Sequence, residues 1–197
     1  MQDEPLGGLK SENLGVDVAI SNDGSRFIAG APSLAEGYLE LFEWDEGASQ
    51  WLSIAFQPGF EDRECFGSGV TMITDNGSLC AAGGPNFNGS RGVIRVYQND
   101  NSGLVYTQLG DDIIGDDGDA LGIRNTFSGD AKVVVAGTSN GFVKRFEYQV
   151  ALDEWIQVYD PIDTGYAFVS SLATTDAANT IAVTGDNEAV IYKAWVV

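Results

Sequence analysis

Asp111, Asp112, Asp116, Asp117 and Asp119 form the densest run of carboxylates in the 197-residue chain. Hard oxygen ligands gathered this closely suit a calcium ion, which takes about six to eight of them. These five are therefore the candidate metal ligands, and calcium is the only cofactor the residues suggest. Their spacing does not fit an EF-hand loop. Asp is also an ordinary turn residue, so a solvated connection without a cofactor is the expected reading and calcium the alternative.

Other chemistry is bounded by what the chain lacks. It has no histidine, which removes Ser-His-Asp and Cys-His catalysis, histidine zinc sites and imidazole acid–base work. Its two cysteines cannot build a four-thiolate zinc or iron–sulfur centre. No glycine-rich phosphate loop carrying a lysine is present. A carboxylate pair for glycoside hydrolysis remains conceivable. With 29 acidic residues, however, some pair reaches a suitable distance in any fold. No catalytic residue is assigned, and a non-enzymatic protein is expected.

Cys65 and Cys80 are expected to be free thiols. A hairpin turn at 75–77 sets Cys80 opposite about Met72, and Cys65 then lies roughly 23 Å further along at about 3.3 Å per residue. A disulfide needs Cα atoms within about 7 Å. Asn76-Gly77-Ser78 and Asn88-Gly89-Ser90 match the glycosylation sequon, although Asn-Gly is also what tight turns require. Trp44, Trp51, Trp155 and Trp195 could stack on sugars or serve as packing between sheets.

The formal charge is −19, from 29 acidic and 10 basic residues. Such a surface repels phosphate, so no nucleic-acid binding is expected, and charge alone disfavours docking on anionic lipid. A protein partner with basic patches would be attracted. No run of about 18 apolar residues predicts a membrane-spanning helix. The start Met1-Gln2-Asp3-Glu4-Pro5 lacks the pattern of a signal peptide.

The elements that position these residues recur. An aromatic residue or Leu followed by Gly precedes an alternating strand. A tight turn leads to a second strand ending in Ala-Gly, and a short loop leads to a third strand ending in an aromatic residue. The pattern reads Leu14-Gly15, Asn22-Asp23-Gly24, Ala29-Gly30-Ala31-Pro32 and Gly37–Phe42 in the first copy. It reads Phe66-Gly67, Asp75-Asn76-Gly77, Ala82-Gly83-Gly84-Pro85 and Gly92–Tyr97 in the second. The third has Leu121-Gly122, Gly129-Asp130, Ala136-Gly137 and Gly141–Phe146. The fourth is degenerate, with Tyr166-Ala167, Thr184-Gly185 and Ala189–Tyr192. Fourth strands are expected near 51–54, 106–109 and 155–158.

Four strands per repeat of about 50 residues is the arithmetic of a β-propeller blade. Asn-Asp-Gly and Asp-Asn-Gly between apolar runs are strong hairpin signals. The first strand carries Val16, Val18 and Ile20 on one face. Small residues such as Ala19 on the other face suit close stacking. No sustained 3.6-residue apolar period predicts a long helix. The expected fold is all-β: a small β-propeller of about four four-stranded blades in one domain, 1–197. Its repeats fall near 12–56, 65–113, 115–160 and 162–197, and the ring is either closed or an arc of a larger propeller. The fourth copy lacks a fourth strand, and residues 3–9 are the candidate to supply it from the N-terminus, closing the ring at the outer edge of the last blade.

Phe66-Gly67 with Gly83-Gly84-Pro85, and Leu14-Gly15 with Gly30-Ala31-Pro32, resemble the FG-GAP repeats of integrin α-chain heads and many extracellular proteins. The resemblance covers roughly 12–197. It implies a propeller and favours an extracellular or lumenal setting. The family's calcium loop between the first two strands is not carried over, because Ser21–Gly24 and Thr74–Gly77 are too short to wrap the ion. The expected function is a protein-interaction or structural module, such as an accessory subunit of a larger assembly. A carbohydrate- or calcium-dependent adhesion module and a carboxylate-based glycosidase are the alternatives.

Overall fold

A computed structural model describes residues 13–33, 35–99 and 105–193. The candidate closing strand at 3–9 and Trp195 lie outside them. The chain forms four antiparallel sheets in sequence order. The first contains β1 (Val18–Ile20), β2 (Arg26–Ala31), β3 (Tyr38–Asp45) and β4 (Gln50–Pro58). The second contains β5 (Gly69–Ile73), β6 (Leu79–Gly84), β7 (Val93–Asn99) and β8 (Tyr106–Gln108), with β9 (Ile113–Ile114) also paired to β7. The third contains β10 (Arg124–Phe127), β11 (Val133–Gly137), β12 (Phe142–Gln149) and β13 (Glu154–Gln157), with β14 (Ile162–Asp163) on β12. The fourth contains β15 (Ser171–Thr174), β16 (Thr180–Gly185) and β17 (Glu188–Lys193). Among the described residues, the one short turn with helical character, at Phe87–Ser90, is interrupted by left-handed Asn88 and Gly89.

The hairpins between the first two strands of each sheet build their own turns. Ser21 Oγ donates to Asp23 Oδ1 and accepts the Arg26 amide. Ser128 Oγ repeats this with Asp130 and the Val133 amide. Thr74 Oγ1 accepts the Ser78 amide in the second sheet. Side chains of this type mimic a backbone turn, so the local sequence fixes the hairpin register. That register places Met72 opposite Cys80, as the turn position predicts.

Each sheet packs face to face on the next. Ala19, Ile28 and Leu41 of the first meet Val70, Met72, Cys80, Ala82 and Tyr97 of the second. Leu79, Ala81, Ile94 and Val96 on the other face of the second meet Phe127, Val134, Ala136, Phe146 and Trp155 of the third. Val133, Val135 and Val143 meet Leu172, Ile181, Val183 and Tyr192 of the fourth. The small face of β1, carrying Ala19, is thus the packed one, whereas Val18 and Ile20 lie on its other face and are 60% and 58% exposed. Among the described residues, no extensive packing joins the first sheet to the fourth.

The joints explain the glycines. Gly37 and Gly92 adopt left-handed φ of 77° and 78° and bridge to Phe66 and Leu121, the residues entering the next sheet. A Cβ at Gly37 would strike the Phe66 backbone. Gly83 lies so close to Gly122 of the next sheet that its Cβ would overlap that backbone. The aromatic-or-Leu-Gly pair is therefore a docking element: its first residue fills the core, and its glycine lets two backbones touch.

The fourth repeat departs from its expected alignment by one residue. Gly83 pairs with Gly69 and Gly137 with Arg124, each two residues after the Gly that enters the sheet. The equivalent position in the fourth sheet is Thr184, paired with Ser171, and not Gly185. Tyr166 keeps the place of Phe66 and Leu121 beside Gly141, but a different connection follows it.

Both cysteines are free, with Cys80 buried and Cys65 partly exposed. Burial raises the Cys80 thiol pKa far above its usual range. Cys65 is expected to react with a maleimide in the native protein, and Cys80 only after denaturation. Two equivalents labelled at the same rate without denaturant would contradict this packing.

Candidate interaction surfaces

Three features could carry function: two buried charge stations, a central cavity and the open faces at the two ends of the arc.

The charge stations occupy equivalent positions in the second and third sheets. Arg95 on β7 is fully buried and bonds Glu64 at 2.5 Å and Asp112 at 3.1 Å. Its guanidinium also lies over the Phe60 ring, 4.0 Å from the centroid. Glu64 is equally buried and accepts the Phe60 and Glu61 amides as well. On β12, Lys144 bonds Asp119 at 2.5 Å and Asp116 at 2.6 Å. The acid stands two residues before Phe66-Gly67 in one case and before Leu121-Gly122 in the other. Each pair therefore ties the linker entering a sheet to that sheet's third strand. The sequence reading missed both pairs, although the spacing Glu-x-Phe-Gly and Asp-x-Leu-Gly was visible.

These bonds divide the five candidate metal ligands. Asp112 serves Arg95, while Asp116 and Asp119 serve Lys144. Asp117 is fully exposed and 3.6 Å from Arg91, and Asp111 is exposed. No group of three or more carboxylates or thiols spaced for a metal ion occurs among the described residues. The hydrogen bond and charge of Lys144 hold the Asp116 carboxyl below its usual pKa. Burial works against the Lys144 charge, yet its two carboxylate partners keep its pKa above the usual value. The depressed Asp116 pKa contributes stability above the ordinary aspartate range, and that contribution is lost as pH falls through the folded value. Asp116 is mostly exposed, so the effect is small.

The inner strands of all four sheets converge on a cavity of about 280 Å³ lined by Val16, Asp17, Val70, Arg124, Asn125 and Ser171, among others. Its polar groups are largely used by the fold. Asp17 accepts the Val18 and Val70 amides. Arg124 donates to the Ser170 and Ile123 carbonyls. Asn125 donates to the Gly69 carbonyl, and its Oδ1 is buried with no hydrogen-bond partner among the described residues.

The two ends of the arc are unlike. The outer face of the first sheet carries the rows Ile20–Phe27–Phe42 and Val18–Ala29–Glu40–Phe56. Phe27 stacks on Phe42 at 4.6 Å and meets Trp51 edge-on at 4.8 Å, and Trp51 also meets Trp44. The outer face of the fourth sheet carries Ala173, Ala182 and Ile191 in one row, with Ile191 70% exposed. Of the tryptophans, Trp155 is a packing residue whose Nε1 donates to the Leu109 carbonyl across a joint. Trp44 and Trp51 belong to the open face.

No family model and no curated protein sequence matches the chain. Solved structures do. The β-propeller domain of Cps50 (Swd1) from Myceliophteria thermophila superposes with a TM-score of 0.63 at 13% identity, over 90% of this chain and 52% of that one. The chain is a β-propeller. A candidate 6-phosphogluconolactonase from Bacteroides fragilis also superposes, with a TM-score of 0.60 at 12% identity, over 78% of this chain and 40% of that one. The likeness is one of fold alone. The chain spans about half the length of the propellers it matches.

Proposed function

We propose that the chain is a non-enzymatic interaction module, a structural subunit that works by joining other folded surfaces at the ends of its arc. The observation that carries this reading is the exposed apolar side chains on the outer faces of the first and fourth sheets, which no other sheet covers among the described residues: Val18, Ile20 and Phe56 on one and Ile191 on the other are each more than half exposed. Monomers rarely leave contiguous apolar surface of this kind open unless it is an interaction site. Its acidic surface favours partners with basic patches around the contact.

The chemistry available supports a non-enzymatic reading. The carboxylate in the central cavity is tied to two backbone amides, the buried carboxylates are paired with Arg95 and Lys144, and the chain has no histidine. The joints also support an FG-GAP-type reading of the repeats, since Phe66-Gly67 and Leu121-Gly122 act as the docking element of each blade.

The test is binding that depends on the faces. Retention of a soluble partner by the immobilised chain is expected to be lost in V18D/I20D or A182D/I191D and kept in D163K, a change on the flank of the third blade. Turnover on a lactone or glycoside panel that survives both face variants would overturn the reading.

A further inference from the structure

We infer that the central cavity binds a small zwitterion, an amino acid whose carboxylate sits on Arg124 and whose ammonium sits on Asp17.

Arg124 differs from the other arginines. Arg26, Arg63, Arg91, Arg95 and Arg145 each stand beside a carboxylate. Arg124 has no carboxylate partner among the described residues, in a chain with 29 acidic residues. Its Nε and Nη1 donate to the Ser170 and Ile123 carbonyls, which leaves the Nη2 donors without a partner among the described residues. Asp17, which lines the same cavity, has no cation partner among them either. Its Oδ1 accepts the Val18 amide and its Oδ2 the Val70 amide, and each oxygen keeps a further lone pair.

Bonds to main chain hold the two charges apart. Asp17 of the first blade and Asn125 of the third clamp one peptide unit of the second blade. Asp17 accepts its Val70 amide, and Asn125 donates to its Gly69 carbonyl. Arg124, next to Asn125 on β10, reaches instead to Ser170 at the entry to the fourth blade. A positive and a negative group thus share one cavity, half-buried and without an ion pair between them.

Such a fixed pair is complementary to a ligand that carries both signs. A carboxylate matches the fork of a guanidinium, and an ammonium supplies donors to the open lone pairs of Asp17. A simple anion would meet the Asp17 charge, and a simple cation the Arg124 charge, so either alone is at a disadvantage. The volume of about 280 Å³ suits a small molecule, and Val16, Val70 and Leu172 offer apolar surface to a short methylene chain.

The experiment is titration calorimetry of the full chain with glycine, β-alanine, γ-aminobutyrate and 5-aminopentanoate, which carry the two charges at increasing separation. Acetate and methylammonium are the single-charge probes. One member of the series is expected to bind at least about tenfold more tightly than either probe, the gain from one added charge contact in a half-buried site. R124Q should lose binding of zwitterion and acetate alike, and D17N should bring the zwitterion down to the level of acetate. Both variants alter bonds between blades, so their strand spectra are checked by circular dichroism. Ser171→Trp, at an exposed position of the cavity wall that bonds neither charge, should block binding by filling the space. A series in which no member binds at about 10 mM, where even a weak millimolar site is occupied, would overturn the inference. So would a zwitterion that binds no better than acetate, or one whose binding S171W or a folded R124Q leaves unchanged.

Discussion

Replacing Glu64 by Gln is expected to lower stability by about 3 kcal/mol, the cost of leaving a buried charge without its counter-ion. For a domain of this length that corresponds to a fall in Tm of roughly 10 °C. Arg95 has no exposure to water, and Asp112, which is partly exposed, is its only other carboxylate partner among the described residues. The loss therefore falls almost wholly on one guanidinium. The pair E64M/R95M is expected to regain much of the stability, because apolar side chains of similar volume avoid both desolvation penalties. Thermal melts of the wild type, the single variant and the double variant decide the matter. A single variant as stable as the wild type would mean that the station contributes nothing. A double variant no better than the single would mean that packing around Phe60, Phe66 and Phe87, and not charge, holds the linker.

Gly83→Val is expected to be at least as damaging, with a loss of about 3 kcal/mol or a failure to fold. The new side chain would have to enter space held by the Gly122 backbone, and rigid backbone cannot move aside as a flexible side chain can. Gly89→Ala is the control: its φ is 69° and nothing lies within 4 Å of the added atom. Its cost should be about 1 kcal/mol, from the left-handed conformation alone. Equal effects of the two substitutions would show that backbone proximity at the joints is not what requires glycine.

These two sites mark where the sequence was legible and where it was not. Turns such as Asn22-Asp23-Gly24 are determined by residues within a few positions, so the hairpins and the pairing of Met72 with Cys80 could be read directly. The spacing of Gly30, Gly83 and Gly137 could be read because each lies against the entry to the next blade, Gly30 and Gly83 against its backbone and Gly137 against the Val169 and Leu172 side chains. Thr184 hid the same position in the fourth blade, since its neighbour Gly185 mimicked the marker. The charge stations were harder, because Glu64 and Arg95 stand 31 residues apart and only the fold shows that they meet. The aspartates at 111–119 were noticed as a cluster along the chain, but the fold assigns three of them to two cations on different strands. The direction of Val16, Val18 and Ile20 was beyond reach: alternation shows that one face of β1 is apolar, not whether a neighbour covers it.

The central proposal is that the first and fourth blades, which no extensive packing joins among the described residues, do not meet within one chain. It can be tested by spin-label distances in chains diluted into an excess of unlabelled protein, which isolates distances within one copy. Cys65 is replaced by Ser, and buried Cys80 is left unlabelled. The first–second joint brings the hairpin turns together, with the Asp23 amide 2.9 Å from the Asp75 carbonyl. Labels at the exposed neighbouring positions Asn22 and Asp75 therefore give the distance between adjacent blades. Labels at Asn22 and Ala177, on the turns of the first and last blades, should be separated by a clearly longer distance. An Asn22–Ala177 distance as short as Asn22–Asp75 would mean that the chain closes its own ring, and would contradict the open arc.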